Sequence, residues 1–288
     1  MSPERAAIAA GEPYTLSLAG KLRLTLRATM LVLALLVCVP LHYLYRTFAY
    51  GSPFPMYFLR WAARIAGARV TKRGTALRRD VVFLSNHVSW LDILAQAGAS
   101  GTAFVAKAEL EKAPVVGWLA SLNRTVYVKR EARGNVAEQI NSVREAMADN
   151  WSVTIFPEGT TTDGQSLLPF KTSLLKLLEP PPPGVMVQPV VIDYGEAAEE
   201  IGWIGEESGV TNAKRVLGRK GSFPVTIHYL EPFAPGPGDN RKAIAARARA
   251  EIEAKLFECM GKPLRDYPLD VAPVRYSGKK EEPDDPPT

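Results

Sequence analysis

The 288-residue chain is poor in cysteine, with 2, and in histidine, with 3. Cys38 and Cys259 cannot build a disulfide scaffold, and neither sits in a metal-ligand spacing. Cys38 lies inside an apolar run, where a thiol behaves as a small hydrophobe. No Gly-x-Ser-x-Gly is present, which removes the usual serine-hydrolase elbow. No internal repeat is visible, and a chain that is 47% apolar and 23% charged is neither collagen-like nor globally disordered. Acidic residues are scarce at the start. Residues 1–79 hold 12 Lys/Arg against 2 Asp/Glu, whereas residues 80–288 hold 23 against 28. A basic head on a mildly acidic body points to an anionic surface near the N-terminus, either nucleic acid or membrane.

The apolar sequence in the same region decides for the membrane. Ala28–Tyr45 is 18 residues without a formal charge. As a helix it is about 27 Å long, marginal for a hydrocarbon core of roughly 30 Å. Lys21, Arg23 and Arg27 precede it, Arg46 follows it, and Tyr43 and Tyr45 suit an interfacial belt. Pro40 is expected to kink or end the helix. No small-x-small cleavage site follows, which argues against a signal peptide. In Pro55–Val70, Tyr57, Phe58, Trp61, Ile65 and Ala68 recur at helical spacing, with Arg60 and Arg64 on another face. Such a helix fits the headgroup layer or an ordinary domain surface. A nucleic-acid binder is disfavoured, because the positive charge flanks an apolar span and no recognised motif accompanies it.

From Asp80 onward short β-rich runs alternate with helical stretches. Val81–Ser85, Thr125–Val128, Val153–Phe156, Val185–Ile192 and Val225–Tyr229 read as strands buried on both faces. Asn135–Trp151 and Arg241–Met260 read as helices. The expectation is an α/β domain with a mixed, largely parallel sheet flanked by helices, behind an N-terminal membrane-associated segment. The boundaries are a flexible N-terminus over 1–20, membrane-attachment helices over 21–69, a catalytic domain over 70–276 and a disordered, Pro-rich tail over 277–288.

Strand Val81–Ser85 runs straight into Asn86-His87-Val88-Ser89-Trp90-Leu91-Asp92. On a regular helix His87 and Asp92 diverge by about 140°. They meet only if His87 sits on the loop before the helix and Asp92 in its first turn, which the strand-then-helix pattern provides. An imidazole backed by a carboxylate is a general base held in one tautomer. With no nucleophile elbow in the chain, the nucleophile belongs to the substrate, such as a hydroxyl. A second polar block, Phe156-Pro157-Glu158-Gly159-Thr160-Thr161-Thr162-Asp163-Gly164, also follows a strand and fits an acceptor site at the sheet edge. Lys129-Arg130 follows a third strand, where Arg130 can hold an anionic headgroup.

In order along the chain, Asn-His-x4-Asp, the basic strand end, Phe-Pro-Glu-Gly-Thr and Val187-Gln188-Pro189-Val190 resemble the four blocks of the PlsC-type glycerolipid acyltransferases, over roughly Val70–Pro232. The resemblance implies that His87 deprotonates a lysolipid hydroxyl, that this oxygen attacks the thioester of an acyl-ACP or acyl-CoA, and that Asp92 orients His87. It implies no covalent acyl-enzyme, no cofactor and no metal. By similarity, Asn86 in the first block counts among the substrate-binding residues, Lys129 and Arg130 belong to the acceptor's phosphate, and Glu158, Gly159 and Thr160 to the acceptor block. Pro189 falls on the acyl side. Lys107 falls where such enzymes carry a basic residue that stabilises an oxyanion, although its local sequence also reads as a surface lysine at a helix start. Lys171 is placed to hold an anionic donor or acceptor. Thr161 departs from the cation common in lysophosphatidate acyltransferases, and the Thr-Thr-x-Asp-Gly run looks closer to the lyso-ornithine lipid branch. Lysophosphatidate, as the family's commonest acceptor, is expected first, and lyso-ornithine lipid second.

The partners expected are membrane lipids and an acyl carrier protein or acyl-CoA, at the cytoplasmic face of a bacterial inner membrane. A single span from a cytoplasmic N-terminus would place the domain outside. A re-entrant hairpin bending near Pro40 and Gly51-Ser52-Pro53 resolves this. The rival classes are a non-catalytic lipid-binding module, which has no use for the His87–Asp92 pair, and a lipid hydrolase using the same base on water.

Overall fold

The computed structural model describes residues 1–49, 51–107, 111, 114–128, 152–236 and 238–269. Lys129, Arg130, the expected helix over 135–151 and the tail from 277 lie outside the described residues. The strands are β1 (Ala68–Arg73), β2 (Val81–Ser85), β3 (Ala103–Lys107), β4 (Val126–Val128), β5 (Ser152–Ile155), β6 (Met186–Asp193) and β7 (Phe223–Tyr229). They form one sheet in the order β1-β7-β6-β2-β5-β3-β4. Every pairing is parallel except β6 with β7. The helices are α1 (Pro3–Ala9), α2 (Leu18–Arg46), α3 (Phe54–Ala66), α4 (Leu91–Ser100), α5 (Pro114–Leu122), α6 (Ala198–Ile201), α7 (Gly209–Gly218) and α8 (Arg241–Met260).

The sheet is buried on both faces because its strands are apolar at odd and even positions alike. Val81 and Phe83 of β2 join Val190, Ile192, Val225 and Ile227 on the face covered by α3 and α4. Val82 and Leu84 join Val153, Ile155 and Val187 on the other, against Ile244, Ala245 and Ala248 of α8. Two strands escape the apolar-run reading. β1 is an edge strand whose last three residues, Thr71, Lys72 and Arg73, are exposed. β3 is short and ends on Lys107, so this residue closes a strand rather than starting a helix.

The N-terminus is docked, contrary to the flexible segment expected over 1–20. Ser2 caps α1, and Arg5 is buried against Glu207 at 3.0 Å, with Arg215 on the other side of the same carboxylate at 3.0 Å. Arg5 also donates to the carbonyls of Glu199 and Gly202. A buried charge needs such partners, and this set is what pins the segment.

α2 is longer than the uncharged run and continues through Pro40 to Arg46. Proline's fixed φ suits a helix, and the one lost backbone bond does not end it. The helix therefore does not end at Pro40, and the chain leaves it only after Arg46. There Tyr45 meets Phe54 edge-on at 6.1 Å, and α3 returns along α2. Leu18, Leu22, Leu26, Met30, Leu33, Val37, Leu41 and Leu44 recur at i+3 and i+4 along α2, and all are exposed. The basic flank is used within the protein itself. Arg23 donates to Gly218 O at 2.8 Å, and Arg27 reaches the carbonyls of Val216, Leu217, Arg219 and Gly221. Two arginines of α2 thus cap the C-terminus of α7, where the helix dipole favours cations. The following helix packs on the domain by one face. Ala62, Ala63 and Ala66 of α3 are buried, while Tyr57, Arg60, Trp61 and Arg64 are exposed. α3 crosses α4 closely at Gly98, where a Cβ would stand 2.7 Å from the Arg60 backbone.

Candidate active site

Three adjacent parallel strands, β5, β2 and β6, end at the same edge of the sheet, as a ligand site in such a fold requires. β2 delivers the loop 86–90 ahead of α4. His87 lies on that loop and Asp92 in the first turn of α4. His87 Nδ1 is 2.8 Å from Asp92 Oδ2. The same oxygen accepts the backbone N–H groups of Val88 at 2.6 Å and Ser89 at 2.9 Å. Asp92 Oδ1 accepts the hydroxyl of Tyr194, just past β6, at 2.6 Å. The carboxylate is fully buried. An ionised carboxylate can only accept, so Nδ1 carries its proton and Nε2 keeps the lone pair. The imidazole lies flat on Phe156, with centroids 4.0 Å apart and planes 12° apart, and Phe156 stacks on Phe104. The ring is thus fixed by a carboxylate at one edge and an aromatic on one face. Its side chain retains 17% exposure, enough to meet a substrate.

β5 delivers the second loop, which is laced to the first. Glu158 Oε1 accepts His87 N at 2.8 Å, and Oε2 accepts Leu168 N at 2.9 Å. Thr162 donates its backbone N–H to His87 O at 2.7 Å and its hydroxyl to the same oxygen at 3.1 Å. The Thr161 hydroxyl donates to Trp203 O, and Trp203 N donates to Val88 O at 2.9 Å. Asn86 forms a two-way clasp with Ile192, donating to its carbonyl and accepting from its N–H. Burial drives the Glu158 pKa up to about 8 against the pull of its two backbone donors. Burial and the neighbouring Asp92 hold the Tyr194 phenol protonated far above its usual range.

The structure brings His87, Asp92, Asn86 and Glu158 together. Asn86 and Glu158, expected to contact substrate, are 2% and 1% exposed, with their polar atoms turned onto the protein's own backbone. They shape the loops. Gly159 takes φ +73, and Lys171 lies over it, such that a Cβ there would sit 3.0 Å from Nζ. Thr160 is half-buried beside them. Pro189 is buried within β6, opposite Leu84, and does not line the surface of this loop cluster. The side chain of Lys107 and the whole of Lys129 and Arg130 lie outside the described residues. Sequence reasoning missed Tyr194 and Trp203, and gave Phe156, the first residue of the second block, no part in holding His87. The one available signal for Tyr194 was its place directly after an apolar strand that pairs with β2.

Comparison with known proteins closes the question of family. A family model described as Acyltransferase matches residues 67–193. The lyso-ornithine lipid O-acyltransferase of Brucella abortus is 31% identical over 254 residues, covering 82% of this chain and 95% of that protein. The lyso-ornithine lipid O-acyltransferase of Pseudomonas aeruginosa is 35% identical over 211 residues, 68% of this chain and 77% of the relative. The chain belongs to the PlsC-type acyltransferase family. The same fold is present in the solved structure of PlsC, the 1-acyl-sn-glycerophosphate acyltransferase of Thermotoga maritima, with a TM-score of 0.59 at 23% identity, over 82% of this chain and 95% of that one. As a PlsC-type acyltransferase, the protein acts in the lysophospholipid or lyso-ornithine lipid class, as the sequence blocks implied.

Proposed function

We propose that this acyltransferase moves a fatty acyl group from an acyl-ACP or acyl-CoA thioester to the free hydroxyl of lyso-ornithine lipid, at the cytoplasmic face of a bacterial inner membrane. The observation that carries the chemistry is the 2.8 Å contact between His87 Nδ1 and Asp92 Oδ2, which directs the lone pair of Nε2 outward. Nε2 takes the hydroxyl proton as the acceptor oxygen attacks the thioester carbonyl. Collapse of the tetrahedral intermediate breaks the carbon–sulfur bond, and the imidazolium returns its proton to the departing thiolate. Asp92 stays ionised throughout and balances the transient cation.

Two observations support this acceptor. Relatives aligned over most of their length are named for lyso-ornithine lipid. Thr161 stands where a phosphate-binding cation is expected, and its hydroxyl is spent on Trp203 O. They favour lyso-ornithine lipid over lysophosphatidate, the acceptor expected first from sequence.

The test is acyl transfer followed by mass spectrometry. Membranes carrying the wild type or His87→Ala receive acyl-ACP or acyl-CoA, with lyso-ornithine lipid and lysophosphatidate in competition. Acylated ornithine lipid formed only by the wild type is the expected result. Phosphatidate instead would overturn the acceptor, free fatty acid would indicate a hydrolase, and no product would return a lipid-binding module to the front.

A further inference from the structure

Outside the catalytic loops, three side chains of metal-ligand type converge where β6, β7 and α8 meet. In the antiparallel β6–β7 pair, His228 stands opposite Val191. Asp193, two residues along β6 from Val191, projects from the same face. That face is covered by α8, where Val191 packs on Ile252 and Leu256. Cys259 follows Leu256 by one helical turn. The result is a carboxylate, an imidazole and a thiol whose ligand atoms all lie within 4.8 Å of one another, each partly accessible to solvent. Cys259 Sγ and His228 Nε2 are 3.5 Å apart. The backbone N–H of Gly195 binds Asp193 Oδ1 at 2.8 Å, fixing the carboxylate as supporting bonds do for metal ligands.

We infer that Asp193, His228 and Cys259 form a binding site for a divalent transition-metal ion of the zinc type. One sulfur, one nitrogen and one oxygen ligand match the preferences of a borderline-soft ion, with water as the fourth ligand. Around a bound ion such ligands stand roughly 3–4 Å apart, so the cluster needs only small side-chain adjustments. The charged neighbours of His228 are mixed in sign: Lys255, paired with Glu258 at 2.7 Å, and Arg73 on one side of the balance, Asp193 and Glu258 on the other. Burial, aided by Lys255, shifts the His228 pKa downward against the opposing pull of Asp193 and Glu258; the neutral imidazole is the form that ligates. Burial also raises the Cys259 thiol, so the ion must displace its proton, which leaves to solvent as the metal–sulfur bond forms. The site takes no part in the proposed transfer. Its ligand Asp193 directly precedes Tyr194, the donor to Asp92, so a bound ion anchors the strand end behind the general base. Sequence spacing could not reveal the cluster, because its members come from three elements.

Cobalt(II) is the probe. Full-length protein in detergent is stripped with a chelator and titrated with cobalt(II) alone. A thiolate-to-cobalt charge-transfer band and intense visible bands are expected, displaced by zinc(II). Cys259→Ser should abolish the charge-transfer band, and Cys38→Ser should leave it unchanged. His228→Gln and Asp193→Asn should weaken cobalt binding at least tenfold. A folded wild type without the band, or a band that survives in Cys259→Ser, would overturn the inference.

Discussion

Substituting Asp92 with asparagine separates charge from geometry at the general base. In most His–carboxylate pairs an amide can turn either way, and the wrong rotamer forces the wrong imidazole tautomer. Here the backbone forbids it. The oxygen facing His87 also accepts the N–H groups of Val88 at 2.6 Å and Ser89 at 2.9 Å. An NH2 group placed there would meet three donors at once, so the amide oxygen must occupy that position and the NH2 must face Tyr194, whose hydroxyl can rotate to accept it. The Asp92→Asn protein therefore keeps its fold and the Nδ1–H tautomer and loses only the negative charge. Opposite charges roughly 4 Å apart interact by about 4 kcal/mol at an effective dielectric of 20. The amide dipole retains part of this, so kcat should fall about 10²–10³-fold, while stability changes by about 1 kcal/mol or less. Acyl-transfer kinetics, thermal unfolding in detergent and nitrogen NMR of the His87 ring read the three effects separately. A loss under tenfold would mean that the charge of Asp92 is not used. A shift of the proton to Nε2, or an unfolded protein, would refute the claim that the backbone selects the rotamer.

Three further outcomes follow from the same geometry. Tyr194→Phe removes a 2.6 Å hydrogen bond to a buried carboxylate; unfolding curves should show a loss of about 1.5–3 kcal/mol, with a smaller fall in kcat than Asp92→Asn. Glu158 holds a proton in the folded state up to about pH 8 that the unfolded chain gives up near 4.5. Its contribution to stability is therefore greatest below pH 4.5 and declines as pH rises to 8, by at most about 1.4 kcal/mol per pH unit. Glu158→Gln should flatten the pH dependence of the unfolding midpoint across that window, and an unchanged slope would show that the carboxyl is ionised throughout. Gly159→Ala places a Cβ on a backbone at φ +73 and against Lys171; it should cost about 1–2 kcal/mol in the same unfolding measurement.

The readable parts of this protein were those where chemistry and chain order coincide. His87 and Asp92 could be joined from sequence because a buried strand ends immediately before them. The parallel sheet followed from apolar runs such as Val81–Ser85. Edge strand β1 was hidden by its charged residues, which need no burial. Partnerships across long chain separations were beyond reach. Nothing near Arg5 announces Glu207, and nothing near Asp92 announces Tyr194. That the polar atoms of Asn86 and Glu158 turn onto backbone was not legible, because a motif names residues without saying which way their side chains face.

The grip of Arg23 and Arg27 on the end of α7 changes what the apolar helix is for. A helix joined to its domain by a loose linker is a leash, and the enzyme on it tumbles and samples lipids at many heights. A helix bolted to the domain by five hydrogen bonds is a mount. Once the exposed leucines of α2 enter the bilayer, the position of His87 relative to the headgroups is set by the protein's own dimensions.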